Sequence, residues 1–189
     1  MGMKPSVAIT EPDRPRVWIG SLAAYNGSHD GVPRLIGEWY DATDAGSVTV
    51  ADLHKGTGVP FTDDDELWVM DLDGDWPVRT EMDLSTAAEW GSLYEEVTPT
   101  PWPAFCALAR AESVDDPRDV DVQRFIDRYR GEWESFEDYV SDYIENVGEQ
   151  NSWPEEARQY FDLARYARDL EHGYTVENSP SGVYVFDGC

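Results

Sequence analysis

Apolar residues recur at helical spacing in residues 129–148, YRGEWESFEDYVSDYIENVG. At about 100° per residue, Trp133, Phe136, Tyr139, Val140, Tyr143, Ile144 and Val147 share one arc. Glu134, Glu137, Asp138, Asp142, Glu145 and Glu149 share the opposite arc, with no Lys or Arg between them. Ser135 and Asp138 have the spacing of a capping box, and Gly148 reads as the helix stop. Exposed helix faces ordinarily mix charges, because like pairs at i,i+4 cost a few tenths of a kcal/mol each.

Elsewhere the period changes. Residues 16–22 and 35–40 read as strands joined by a turn-rich loop at 26–33, and 67–72 as a third strand. Residues 48–53 fit a short helix or a strand, ended by Gly56, Gly58 and Pro60. Three strands and one short helix make a small α+β unit. Beyond Pro77 the pattern is helical. Residues 85–97 carry Ala88, Leu93 and Val97, with Trp90 and Tyr94 alongside; TPTPWP at 98–103 breaks this helix. Helices are predicted at 104–111 and 120–129. A further segment starts at 152–154, with Glu155 and Glu156 at its positive end. Asp162 caps a helix over 163–171 that Gly173 stops, and 174–176 with 183–186 form a terminal hairpin.

Charge changes the picture. Thirty-nine acids face 14 bases, a formal net charge of −25. Such self-repulsion opposes compaction. Yet 8 Trp, 10 Tyr and 6 Phe supply large apolar surfaces, so the chain is read as folded rather than disordered. Acid concentrates at 62–98, where twelve carboxylates meet one base, Arg79. The implied partner is basic: a chain of this charge binds proteins that bind nucleic acid, rather than nucleic acid or an anionic membrane. Adaptation to a saline host gives the same acid-rich, Lys-poor composition and stays open at this point; Lys4 and Lys55 are the only lysines. No run of about 18 apolar residues occurs, and the start has no signal-peptide core, so a cytoplasmic protein is expected. The MGxxxS start is a chance match to a myristoylation pattern. Cys106 and Cys189 are read as free thiols.

Motifs for catalysis and cofactors are missing. His29, His54 and His172 lack metal-site spacing and suit structural or surface roles. Asp71, Asp73 and Asp75 imitate the opening of an EF-hand loop, but its sixth position is Trp76 and its twelfth Met82. No phosphate-binding glycine loop, nucleophile elbow or HExxH occurs. A glycosidase-like acid pair remains an alternative, although among 39 acids a pair carries little information.

Six stretches carry a more specific signal: RVWIGSLAAYN at 16–26, LIGEWYDA at 35–42, ELWVMDLDG at 66–74, the 129–148 stretch, YFDLARYARDL at 160–170 and GVYVF at 182–186. In this order they resemble the ArdA family of antirestriction proteins. Departures fall at Met70 and Leu72, in the 46–65 linker and at 98–103. The resemblance implies an α+β fold in an elongated row of three small units: a three-stranded sheet with a short helix at 15–82, a helical unit at 83–116, and an α+β unit with several helices and a C-terminal hairpin at 117–189. A mobile tail precedes them at 1–14. It implies a homodimer made through the C-terminal region, with no catalysis and no cofactor. The protein would mimic duplex DNA in the groove of type I restriction-modification enzymes, for mobile elements entering a cell. The family's antirestriction motif falls on 129–148. The carboxylates standing in for phosphates would be Asp63, Asp64, Asp65, Glu66, Asp71, Asp73, Asp75, Glu95, Glu96, Glu132, Glu134, Glu137, Asp138, Asp142, Glu145 and Glu149. Helix acids at i,i+4 advance about 6 Å, and two phosphates along one strand about 6.8 Å. Twenty-five excess charges match about 42 Å of duplex.

Overall fold

The computed structural model describes residues 14–97, 101–147 and 153–188. All of the expected tail at 1–14 except Arg14, residues 98–100 of the predicted break at 98–103, Gly148, Glu149, Ser152 and Cys189 lie outside the described residues. The protein is α+β, with two three-stranded antiparallel sheets. The chain divides into two compact units, Met1–Pro103 with Asp115–Val120, and Ala104–Val114 with Asp121–Cys189.

In the first unit, β1 (Arg16–Ser21) leads into α1 (Leu22–Asn26), a helix not foreseen in the sequence. Its cap is local: Ser21 Oγ accepts from the Ala24 amide at 3.2 Å. Then come β2 (Gly37–Asp41), a 3-10 helix (Ala42–Ser47) and α2 (Val50–His54). The second strand starts later than predicted, because Leu35 is exposed and the chain before Gly37 bonds back to the end of α1, Arg34 N to Ala24 O at 2.8 Å. A Thr49–Asp52 capping box settles the ambiguous 48–53 stretch as helix. Strand β3 (Leu67–Asp73) completes a sheet of order β2-β1-β3. Val17, Ile19 and Val69 are fully buried on its inner face.

Helix α3 (Leu84–Val97) is capped by Asp83, which accepts from the Thr86 amide at 2.9 Å. Its buried stripe is Ala87, Trp90, Gly91, Tyr94 and Val97. Trp90 and Tyr94 are therefore core, and the predicted apolar positions Ala88 and Leu93 are half-buried at its margin. The stripe is set by the 3-10 helix: Gly91 brings the α3 backbone onto Ala42 and Thr43. Trp102 closes this core, donating from Nε1 to Asp75 O at 2.6 Å.

Trp102 opens α4 (Trp102–Ala111), whose remaining residues from Ala104 lie in the second unit; Cys106 is buried there as a free thiol. A short 3-10 turn (Pro117–Asp119) precedes α5 (Val122–Arg128) and β4 (Tyr129–Trp133). The helix predicted over 120–129 stops at Arg128, and Trp133 is a strand residue facing Val183, not part of the helical arc. Gly131, at φ 111°, supplies the kink where the β4–β6 register slips. Glu134 and Ser135 then link to α6 (Phe136–Val147).

Helices α7 (Glu155–Gln159) and α8 (Leu163–Glu171) follow, the latter capped by Asp162 as predicted. β5 (Tyr174–Ser179) and β6 (Gly182–Asp187) form the expected hairpin, longer at both strands than its apolar residues suggested. The sheet order is β4-β6-β5. Phe136, Tyr139, Val140 and Ile144 of α6 form its core with Ala167 and Val185. Tyr143 and Val147 share their arc but are exposed, at 38% and 52%, and are not among the residues packed in that core.

Candidate partner-binding surface

Helix α6 is the most regular acidic feature. The Asp138 amide donates to Ser135 Oγ at 3.1 Å, and the Ser135 hydroxyl donates to the Asp138 carboxylate at 2.5 Å. That turn fixes where the helix begins, and the buried arc then fixes its rotation. Glu137, Asp138, Asp142 and Glu145 consequently face solvent. Asp142 accepts from Asn146 Nδ2 at 2.7 Å. Glu134 is exposed just ahead of the helix rather than on it. Glu132, on β4, accepts from Ser181 Oγ at 2.7 Å. Partial burial raises its pKa, but hydrogen bonds from the β5–β6 turn outweigh that and leave it lowered.

In the first unit, Asp63, Asp64 and Glu66 are exposed in the loop entering β3. Asp65 is different: its side chain is only 8% exposed. It accepts from Thr62 N at 3.1 Å, Thr62 Oγ1 at 2.8 Å and His29 Nε2 at 2.7 Å. Burial pushes its pKa up, yet the donors prevail and lower it. Asp65 thus organises its loop, tying it to the 26–33 loop through His29. Asp71 and Asp73 are exposed on β3, and Asp75 is half-buried beyond it. Extended backbone at 71 and 73 cannot wrap a cation as an EF-hand loop does. Among the described residues, no group of three or more His, Cys, Asp or Glu is placed to hold a metal ion.

Glu95 and Glu96 are exposed in the last turn of α3, and Glu145 lies near the end of α6; neither helix has a base in its last turn. Carboxylates there oppose the helix dipole, by about 0.3–1 kcal/mol each. Seven arginines are engaged with other acids, while Arg79 lines a hollow beside Asp71 and Glu81. Arg14 and Arg16 approach Asp41 at 4.0 Å, Arg34 meets Asp30 at 2.7 Å, and Arg118 meets Asp116 at 2.6 Å. Arg124 and Arg128 share Glu112, and Arg130 pairs with Asp187. Among the described residues, no ion pair reaches Asp63, Asp64, Glu66, Asp71, Asp73, Glu95, Glu96, Glu134, Glu137 or Glu145. The predicted acids fall in both units, and each unit presents its own uncompensated set. Sequence reasoning missed the division of labour within the 63–66 loop. The Thr62–Asp65 spacing was the available signal, since it is that of a side-chain–backbone turn.

No helix among the described residues is long and apolar enough to cross a membrane. No curated protein matches the chain. The family model for antirestriction protein (ArdA) matches residues 17–185. That span contains every described candidate acid and all of both sheets except Arg16, Phe186 and Asp187, and the chain belongs to the ArdA family of antirestriction proteins.

Proposed function

We propose that this protein blocks restriction as a DNA mimic. Its exposed carboxylates stand in for backbone phosphates and occupy the DNA-binding groove of a type I restriction-modification enzyme. The observation that carries this reading is the outer face of α6: Glu137, Asp142 and Glu145 are exposed, no ion pair among the described residues reaches them, and Glu145 stands at the helix end where a carboxylate is unfavourable. A surface serving only solubility gains nothing from that placement. Carboxylates that replace phosphates recruit the enzyme's Lys and Arg, and the entropy of counterion release accompanies them as it does DNA. The acids at 63–75 extend the surface in the first unit. The protein acts as a homodimer, in the cytoplasm of the cell that the mobile element enters. It has no catalysis of its own and needs no cofactor.

The test is competition on a purified type I enzyme. Inhibition should be competitive with a DNA oligonucleotide carrying the recognition site, and should weaken steeply as salt rises. A non-competitive pattern overturns the mimic reading. In cells, unmodified phage should plate better on a type I host expressing the protein; unchanged restriction at good expression removes it.

A further inference from the structure

The outer face of the first sheet is built in three cross-strand rows. Arg16 lies between Asp41 and Asp73, Trp18 between Trp39 and Asp71, and Gly20 between Gly37 and Trp68. The two glycines are not there for backbone freedom, since neither has positive φ. They make room. A Cβ at Gly37 would stand 2.4 Å from the six-membered ring of Trp18, and one at Gly20 2.6 Å from it. The indole therefore packs against both backbones, with the Met70 thioether beside it over Gly20, and Trp18 is half-buried. Glycine inside a strand weakens it, and two in register are kept here for this close approach.

Arg16, in the neighbouring row, shows what a ring on this face accepts. Arg16 places its guanidinium 5.8 Å from the centre of the Trp39 ring, with Asp41 4.0 Å from its Nε. Trp18 and Asp71 set a ring and a carboxylate side by side across two strands; among the described residues no guanidinium is in an ion pair with Asp71, although Arg79 lines the same hollow. One Asp71 oxygen already accepts from the Leu72 amide at 2.8 Å, which holds the carboxylate in place.

We infer that this face is an arginine-binding platform, in which a partner's guanidinium stacks on Trp18 and is held by Asp71. It rests on the mimic reading only for where the arginines come from. It goes beyond that reading because carboxylates alone take Lys and Arg alike, whereas a flat ring beside a fixed carboxylate suits the planar, forked guanidinium.

The test titrates the full chain with capped oligo-arginine and oligo-lysine peptides of equal length, by calorimetry at about 0.1 M salt. The arginine peptide should bind about two- to five-fold more tightly. Trp18→Leu should bring the ratio to about one with the lysine affinity unchanged, and Trp18→Phe should restore part of it. Asp71→Asn, a surface change that leaves the ring seated, should also lower the ratio if Trp18→Leu fails to fold. Equal affinities in the wild type overturn the platform, as does a ratio that survives both Trp18→Leu and Asp71→Asn. No restriction enzyme is present in this titration, so its failure leaves the mimic reading standing, and loss of inhibition elsewhere leaves the platform standing.

Discussion

Gly91 of α3 rests directly on the backbone of Thr43: a Cβ on it would come within 2.4 Å of the Thr43 nitrogen. Backbone on both sides leaves nothing flexible to move aside. Gly91→Ala gains about 1 kcal/mol of helix propensity, but forces α3 off the 3-10 helix. Overpacking of this kind costs about 1–3 kcal/mol. A lower melting temperature is expected, and an unchanged or higher one would show that α3 can slide.

The two sides of α6 should separate folding from inhibition. Changing Glu134, Glu137, Asp142 and Glu145 to Gln or Asn removes like-charge repulsion of a few tenths of a kcal/mol per pair. Glu137 sits at the favourable helix end and Glu145 near the unfavourable one, so their dipole effects roughly cancel. The melting temperature should hold or rise while inhibition weakens by degrees, because many acids share the contact. Asp138 is spared, since it closes the first turn with Ser135. Lower stability with unchanged inhibition per folded molecule would move the mimic surface to the 63–96 acids.

On the apolar side, Ile144 is 2% exposed and Val147 52%. Ile144→Ala should cost about 2–5 kcal/mol by leaving a cavity between α6 and its core. Val147→Ala should change the stability of a single chain by no more than about 0.5 kcal/mol. Chemical denaturation of both variants measures the difference; equal losses would mean that Val147 is covered in solution.

Asp65 gives a pH prediction with a definite sign. Its folded pKa lies below the ordinary aspartate value of 3.8, so the contribution it makes is full above that value and is lost as pH falls through the lowered one. Asp65→Asn should destabilise the first unit at neutral pH, and its stability curve should converge on that of the wild type only below about pH 4. A difference that closes between pH 7 and 5 would point to another group.

Salt separates mimicry from halophilic adaptation. The helical circular dichroism signal should persist at about 0.1 M salt, where charges are screened only beyond about 10 Å. Its collapse at low salt would make the acidity an adaptation to a saline host.

What the sequence determined by itself is what short-range forces decide. The Ser135 and Asp162 turns, the strand at Arg16–Ser21 and the opposed arcs of α6 follow from residues within a turn or two of one another. The resemblance was legible for the same reason, since its motifs are local. Tertiary structure decided the rest. Trp133 fits a helical arc by period, but pairing with Val183, fifty positions on, makes it a strand residue. Tyr143 and Ile144 are neighbours on one apolar arc, yet Ile144 is buried in the core and Tyr143 is exposed, because burial depends on which distant segments pack against the helix and not on its own period. Gly20 and Gly37 look like weak points in two strands until register places both beneath Trp18. The availability of the acids was likewise a tertiary matter. Arg130 meets Asp187 across the second sheet, and Arg128 meets Glu112 from a separate helix, so guanidinium groups that composition counts against all the acids are consumed by a few. Such pairings depend on which distant segments share a surface once the cores close, which no local pattern records.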